Sequence, residues 1–272
     1  MFDAQPKSER PIFSRSIIGK PREPHEWLLR LVADATRMNM TDCTQCIVRN
    51  RAICAGLDTG ELEVLGKLGR KQKVAKGQTV LWEGDDSIVV ANVIEGVLKV
   101  SISMADGREQ IVGIVFPSDF IGRPFGQQSP YSVTALTDAE LCIFSRSTFD
   151  SFARRHPELE HKLLRRTLKE LDRAHEWMLV LGKKTATERI ATLLLEMSVR
   201  LGETGCNADA KGLDAFELPL DRQQMGDVLG LTIETVSRQL SKLKADGVIN
   251  LPNRRMIAIQ DRVRLQDIAA AA

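Results

Sequence analysis

The sequence predicts an α+β protein in three successive parts: an N-terminal β-roll of jelly-roll type, a long dimerisation helix and a C-terminal winged helix-turn-helix. Three observations predict it. Short β-branched runs separated by glycines fill residues 71–145, an uninterrupted heptad pattern follows Pro157, and two capped amphipathic helices joined by Gly230-Leu231 precede a pair of short apolar runs. At 272 residues, 43% of them hydrophobic, the chain is long enough for two domains.

Residues 1–40 read as a flexible N-terminal extension, interrupted by Pro6, Pro11 and Pro21. Within it Pro24 can open a short helix with Trp27, Leu28, Leu31, Val32 and Ala35 on one face. There is no signal-peptide core, and no run approaches the roughly 18 apolar residues that span a bilayer. A cytoplasmic protein with no membrane partner is expected. A net charge of +2 says little about partners until its distribution is known.

Residues 41–148 form the second part, a cysteine loop followed by the roll. Cys43, Cys46 and Cys54 stand in a C-x2-C-x7-C spacing on a stretch without helical or strand period. Two thiolates separated by two residues turn toward one point, and a third a short loop later closes on it, which suits a metal centre. From the residues alone, either Cys142 or Cys206 supplies the fourth ligand. Leu62, Leu65 and Leu68 mark a short helix. The runs Ile88–Ile94, Val97–Ile102, Gln110–Phe116, Ser132–Leu136 and Glu140–Phe144 then read as strands with turn residues between them.

The third part, residues 149–182, carries the heptad. Leu164, Leu171 and Met178 recur every seven residues, with Leu168, His175 and Gly182 four after each and Thr167, Ala174 and Leu181 three after each. So long a seam, with Leu164, Leu168, Leu171, Ala174 and Met178 along it, is expected to pair with a second copy.

Residues 183–272 form the DNA-binding domain. A helix with Ile190, Ala191, Leu194, Leu195 and Met197 leads to a polar loop over residues 202–214. Asp221 and Gln224 make a capping box for a helix buried through Met225, Val228 and Leu229. Thr232 caps the next helix, which buries Val236, Leu240 and Leu243 and exposes Glu234, Ser237 and Arg238. This is a helix-turn-helix, whose second helix enters the major groove of double-stranded DNA. Arg238 suits guanine, Glu234 suits cytosine, and Ser237 can touch base or phosphate. Two strands, Val248–Asn250 and Met256–Ile259, complete a wing with Arg254 and Arg255 at its turn, and these two, with Lys242 and Lys244 of the preceding helix, are expected to meet phosphates. No Gly-rich phosphate loop, His-Glu metal pair or nucleophile motif accompanies them, so an enzyme is not expected.

This order of parts resembles the CRP/FNR family of bacterial transcription regulators from about residue 40 onward. The resemblance is carried by Ser118-Asp119-Phe120-Ile121-Gly122, by Leu229-Gly-Leu-Thr-Ile-Glu-Thr-Val-Ser-Arg238 and by Thr187-Glu188-Arg189-Ile190-Ala191. It implies a sensor domain like the family's cyclic-nucleotide-binding roll. Members that bind cyclic nucleotides carry a glutamate after the Phe-Ile-Gly turn and an Arg-Ser pair downstream. Here those places hold Arg123 and Pro130-Tyr131-Ser132, so no cyclic nucleotide is expected.

The FNR branch instead carries an N-terminal cysteine group and a fourth cysteine in the roll, a position that Cys142 matches, whereas Cys206 matches none. The C-x2-C-x7-C spacing is similar to the α-proteobacterial variant. The resemblance therefore implies a four-iron four-sulfur ([4Fe-4S]) cluster on Cys43, Cys46, Cys54 and Cys142. It further implies oxygen sensing, a homodimer on palindromes with TTGAT-like half-sites read by Glu234, Ser237 and Arg238, and contact with RNA polymerase. Structural zinc, a thiol redox switch and a cyclic-nucleotide response are the alternatives. One departure stands in the seam: Ala174 occupies the place of an aspartate in the enteric form. Without that repulsion, a cluster-free dimer is expected to be more stable than in the enteric case.

Overall fold

The computed structural model describes residue 43, residues 45–203 and residues 212–270. The helix expected after Pro24 and the fourth-ligand candidate Cys206 lie outside the described residues.

Eight strands form the roll: β1 (Gly69–Val74), β2 (Thr79–Leu81), β3 (Val89–Glu95), β4 (Leu98–Ser103), β5 (Glu109–Val115), β6 (Phe120–Ile121), β7 (Ser132–Ala135) and β8 (Ala139–Ser145). They make two four-stranded antiparallel sheets, ordered β1-β8-β3-β6 and β2-β7-β4-β5. Val89, Ala91, Val93, Leu141 and Ile143 from one sheet and Leu98, Val115, Val133 and Ala135 from the other fill the core between them. Five of the strands follow the expected runs. The other three are short or polar: β1 reads Gly-Arg-Lys-Gln-Lys-Val and buries only its ends. Its charges suit an edge strand, which must not invite further pairing.

Among the described residues the helices are α1 (Thr59–Leu68), α2 (Arg146–Ala153), α3 (Pro157–Lys183), α4 (Ala186–Gly202), α5 (Arg222–Leu229), α6 (Ile233–Ala245) and α7 (Arg262–Ala270). Capping boxes start three of them. Asp58 accepts from Glu61 N at 2.8 Å and Glu61 returns the bond to Asp58 N at 2.9 Å, and the same reciprocal pair occurs at Thr185/Glu188 and at Asp221/Gln224. None of these helices is long and apolar enough to cross a membrane.

The 27-residue α3 starts with Pro157 in its first turn and runs for about 40 Å. At about 100° per residue, Leu164, Leu168, Leu171 and Met178 fall within roughly 80° of arc, and Lys162, Arg166 and Arg173 point to the opposite side. The two faces have different fates. The leucine face is exposed, whereas the basic face turns into the molecule.

That inner face meets the roll and the DNA-binding domain at one carboxylate. Asp119, 8% exposed, accepts from Arg166 Nη2 of α3 and, at 2.6 Å, from Arg200 Nη2 of α4. Its Oδ2 also accepts from Phe116 N at 2.8 Å. The preceding Ser118 adopts φ 77°, a left-handed conformation rare for a residue with a side chain, and so offers its carbonyl to Arg166 Nη1 at 2.9 Å. Arg200 lies over the Phe116 ring, 4.7 Å from its centre. Further along, Glu196 of α4 accepts from Arg173 Nε at 2.9 Å and from Trp177 Nε1 at 3.1 Å.

The DNA-binding domain packs α4–α7 over a three-stranded sheet of β9 (Ala215–Glu217), β10 (Ile249–Asn250) and β11 (Met256–Ile259), ordered β10-β11-β9. The wing therefore has one strand more than its two apolar runs indicate, since β9 contributes only Phe216 to the core. This core is continuous with Val97, Ile111, Ile114, Phe116 and Leu136 of the roll. Gln110 Nε2 of β5 donates to Val228 O of α5 at 3.3 Å across the junction.

Removing one member of a largely buried ion pair leaves the other charge uncompensated. Asp119→Ala is expected to cost about 3–5 kcal/mol in urea unfolding. Arg200→Ala, added to Asp119→Ala, is expected to cost far less than it does alone, and equal costs in both backgrounds would show that the pair is not coupled.

Candidate cysteine centre and nucleic-acid interface

Strand β8 separates two cores by simple alternation. Leu141 and Ile143 face into the roll, while Cys142 and Phe144 face outward into a second cluster with Val48, Ile53, Cys54, Leu62, Leu65, Val90, Phe149 and Phe152. Cys54 and Cys142 are 8% and 7% exposed. Cys43 and Cys46 pack, partly buried, against the same cluster. All four expected ligands thus reach one apolar region from two distant segments. A Cβ at Gly69 on the neighbouring β1 would lie 2.5 Å from Phe144 Cε1 and 3.2 Å from Cys142 Sγ, so glycine makes the room in which Cys142 sits.

The loop without sequence period is a succession of tight turns: Arg49 N donates to Cys46 O at 3.0 Å, Ala52 N to Val48 O at 2.8 Å and Leu57 N to Cys54 O at 3.1 Å. The 3-10 turn Ile53–Gly56 rests against α3. Burial, and then the neighbouring Cys46, push the Cys54 thiol up from its ordinary value, while Lys162 of α3 and Arg49 pull it down. Lys162 is itself held below the usual ammonium value, by burial first, with Cys54 opposing. Arg51 donates Nη1 to Glu203 O at the end of α4.

A donor set of four thiols fits soft, thiophilic centres and not magnesium or calcium. Among the described residues no three His, Cys, Asp or Glu side chains are drawn tightly enough together to hold a metal ion. The four cysteines share a cluster, but the loop is not closed on a common point.

The seam residues Leu164, Leu168, Leu171 and Met178 are 57%, 51%, 49% and 69% exposed, and Ala174 and His175 between them are exposed too. They do not pack on their own domain. Arg123 and Tyr131, with Pro124, Phe125 and Pro130, line a cleft toward α3.

In the DNA-binding domain α5 ends on Gly230, left-handed at φ 63°, and a Cβ at Gly226 would meet Leu231 O at 2.5 Å. This close turn sets the angle between the two helices. Thr232 accepts from Thr235 N at 3.3 Å and starts α6. Glu234, Ser237 and Arg238 are exposed on α6, with Lys242 and Lys244 on its last turns. Its own backbone N–H, and then the Thr232 hydroxyl, hold the Glu234 carboxyl below its ordinary value. In the wing, Asn253 Oδ1 accepts from Arg255 N at 2.8 Å and Met256 N at 2.7 Å. Arg254 is exposed; Arg255 is partly buried, with its carbonyl accepting from Leu218 N. Arg189 of α4 donates to Leu229 O at 2.9 Å and so fixes the C-terminal end of α5.

A β-roll sensor joined through a long helix to a winged helix-turn-helix defines a one-chain transcription regulator. Residues 188–268 match the model of the Crp-like helix-turn-helix domain and residues 71–156 that of the cyclic nucleotide-binding domain. The chain is 45% identical to the transcriptional activator protein FnrL of Cereibacter sphaeroides over 84% of its own length and 91% of that protein. It is 36% identical to the nitrogen fixation regulation protein FixK of Bradyrhizobium diazoefficiens, over 84% of this chain and 94% of that one. The solved structure of FixK2 from Bradyrhizobium japonicum superposes with a TM-score of 0.67 at 33% identity, covering 75% of this chain and 98% of that chain. The chain belongs to the CRP/FNR family of transcription regulators, on the side of its FnrL- and FixK-type members.

Arg238→Ala is expected to weaken DNA binding by about 1–3 kcal/mol and to relax preference at one base pair of each half-site. Lys242→Ala is expected to weaken binding to all sequences alike and to flatten the salt dependence by about one unit of slope. Titration of labelled duplexes at several salt concentrations separates the two effects.

Proposed function

We propose that the protein is an oxygen-responsive DNA-binding regulator whose sensing centre is a [4Fe-4S] cluster held by Cys43, Cys46, Cys54 and Cys142. The observation that carries this is the placement of Cys142 on the outer face of β8, in the apolar cluster that also receives the other three cysteines. When bound, such a cluster supplies an iron–sulfur centre that oxygen attacks where solvent reaches it.

The residues of the chain then have defined tasks. Cys142 would anchor the centre to a strand in the middle of its sheet, and Cys43, Cys46 and Cys54 would hold the loop against it. Held in this way, the Ile53–Gly56 turn bears on α3, where Lys162 offsets thiolate charge. The basic inner face of α3 stays fastened through Arg166 and Arg173, and its outer face presents Leu164, Leu168, Leu171, Ala174 and Met178 to a second copy. Two paired chains offer two α6 helices to half-sites about one DNA turn apart, so dimerisation and DNA binding are linked. TTGAT-like palindromes are proposed as the target, read by Glu234, Ser237 and Arg238, with Thr232, Lys242, Arg254 and Arg255 near phosphates. Activation through RNA polymerase is proposed by likeness to FnrL, which is named a transcriptional activator. A cyclic-nucleotide response is disfavoured because Arg123 stands in place of the acid for a ribose and Pro130-Tyr131-Ser132 brings no cation for a cyclic phosphate.

Protein purified without oxygen is expected to be brown, with iron and sulfide near 4:4 per chain, and to lose both on Cys142→Ser; colourless protein containing zinc would exclude the cluster. Aerobic, cluster-free protein is expected to sediment partly as a dimer at micromolar concentration, because Ala174 adds no charge to the seam. Leu171→Glu is expected to make it monomeric and to abolish tight binding to a palindrome.

A further inference from the structure

Asn92 is a buried polar side chain on the face of the roll that meets the cysteines; Lys71, in register with Cys142 on the edge strand β1, is exposed. Along β3 the residues alternate as they do on β8: Val89, Ala91 and Val93 face into the roll, and Val90 and Ile94 face the cysteine cluster. Asn92 stands between those last two. It is paired in register with Cys142 on one side and with Phe120 on the other, so on this face of the sheet it lies between a sulfur and an aromatic ring. Residues so paired have Cβ atoms about 5 Å apart.

Asn92 is 3% exposed, and its Oδ1 has no hydrogen-bond partner. A buried amide oxygen left unpaired destabilises a fold, and a branched apolar residue would fill the same space without that penalty. Its strand neighbours on this face, Val90 and Ile94, are such residues. Of the two residues in register with Asn92, Phe120 offers no hydrogen-bonding side chain and Cys142 does. An amide is neutral and carries both donors and an acceptor, and half a turn about χ2 exchanges which of them faces a neighbour. It therefore suits a sulfur that is a weak donor as a thiol and an acceptor as a metal-bound thiolate.

We propose that Asn92 is a positioning residue of the cysteine centre, donating an amide N–H to the Cys142 sulfur when that sulfur is a bound thiolate. The thiolate centre proposed above is the premise. The hydrogen bond lowers the electron density on the sulfur and fixes its direction, the means by which residues just beyond the ligands set the persistence of metal centres.

The test uses the full chain with Asn92→Val and Asn92→Thr, two branched residues that differ by a hydroxyl donor. Both variants and the parent are reconstituted with iron and sulfide without oxygen. Iron and sulfide content, the decay of visible absorbance in air and the thermal midpoint of the metal-free forms are then measured. Asn92→Val is expected to raise the metal-free midpoint by about 2–4 °C, because an unpaired buried group is removed, and to speed the decay in air by about tenfold. Asn92→Thr is expected to decay at a rate nearer the parent. Opposite signs in the two readouts distinguish a role at the sulfur from one in packing. If the parent assembles the cluster and all three proteins decay alike, or if Asn92→Val lowers the metal-free midpoint, the role of Asn92 is excluded while the centre stands. If the parent itself takes up no iron and sulfide, the centre and this role fall together.

Discussion

Everything that has to move together in this molecule is joined at the carboxylate of Asp119. A roll, a dimerisation helix and a DNA-binding domain are separate hydrophobic units, and apolar contact alone lets such units slide. Two guanidinium groups from different helices, Arg166 and Arg200, converge on one nearly buried acid. Its position is fixed by the Phe116 N–H and by the left-handed backbone of Ser118. Arg173 and Trp177 repeat the arrangement at Glu196. Ionic contacts of this kind are directional and costly to leave half made, so they fix how the roll, α3 and α4 sit on one another.

The helix α3 works because its two sides are chemically opposed. One is apolar and, among the described residues, exposed; the other is basic and engaged with the cysteine loop, Asp119 and Glu196. In the mechanism proposed, a disturbance at Cys54 would reach the back of the helix through the Ile53–Gly56 turn, which rests on α3. Ala174 matters in this setting for what it lacks. With Asp172 and Glu176 as the nearby acids, the seam retains some negative charge but no charge at its centre.

Local features were legible in the sequence because they are spaced by local geometry. The capping box at Asp221, the Thr232 cap, the seven-residue seam and the alternating runs that became β3, β4, β5, β7 and β8 all have a short period. The polar edge strand β1, the two-residue β6, the single-anchor β9 and the helix α7 lack one. For the sites, the outward face of Cys142 follows from alternation once β8 is known. The partners of Asp119 do not: Arg200 lies 81 positions away, and nothing in a helix sequence distinguishes a surface arginine from one that crosses a domain boundary. Asn92 was hidden for a related reason, since its oddity appears only when its neighbours are known to be apolar.

The alternation of β8 carries an evolutionary consequence. One strand gives its inner row to the roll and its outer row to the cysteines, so inserting or deleting a single residue in it would exchange the two rows and ruin both. The strand can drift by substitution but not in length. The loop carrying Cys43, Cys46 and Cys54 has no such double duty, and its turns can gain or lose residues at small entropic cost. Any centre held by these four cysteines would therefore vary through the spacing of the loop cysteines, while Cys142 stays locked to the frame of the sheet.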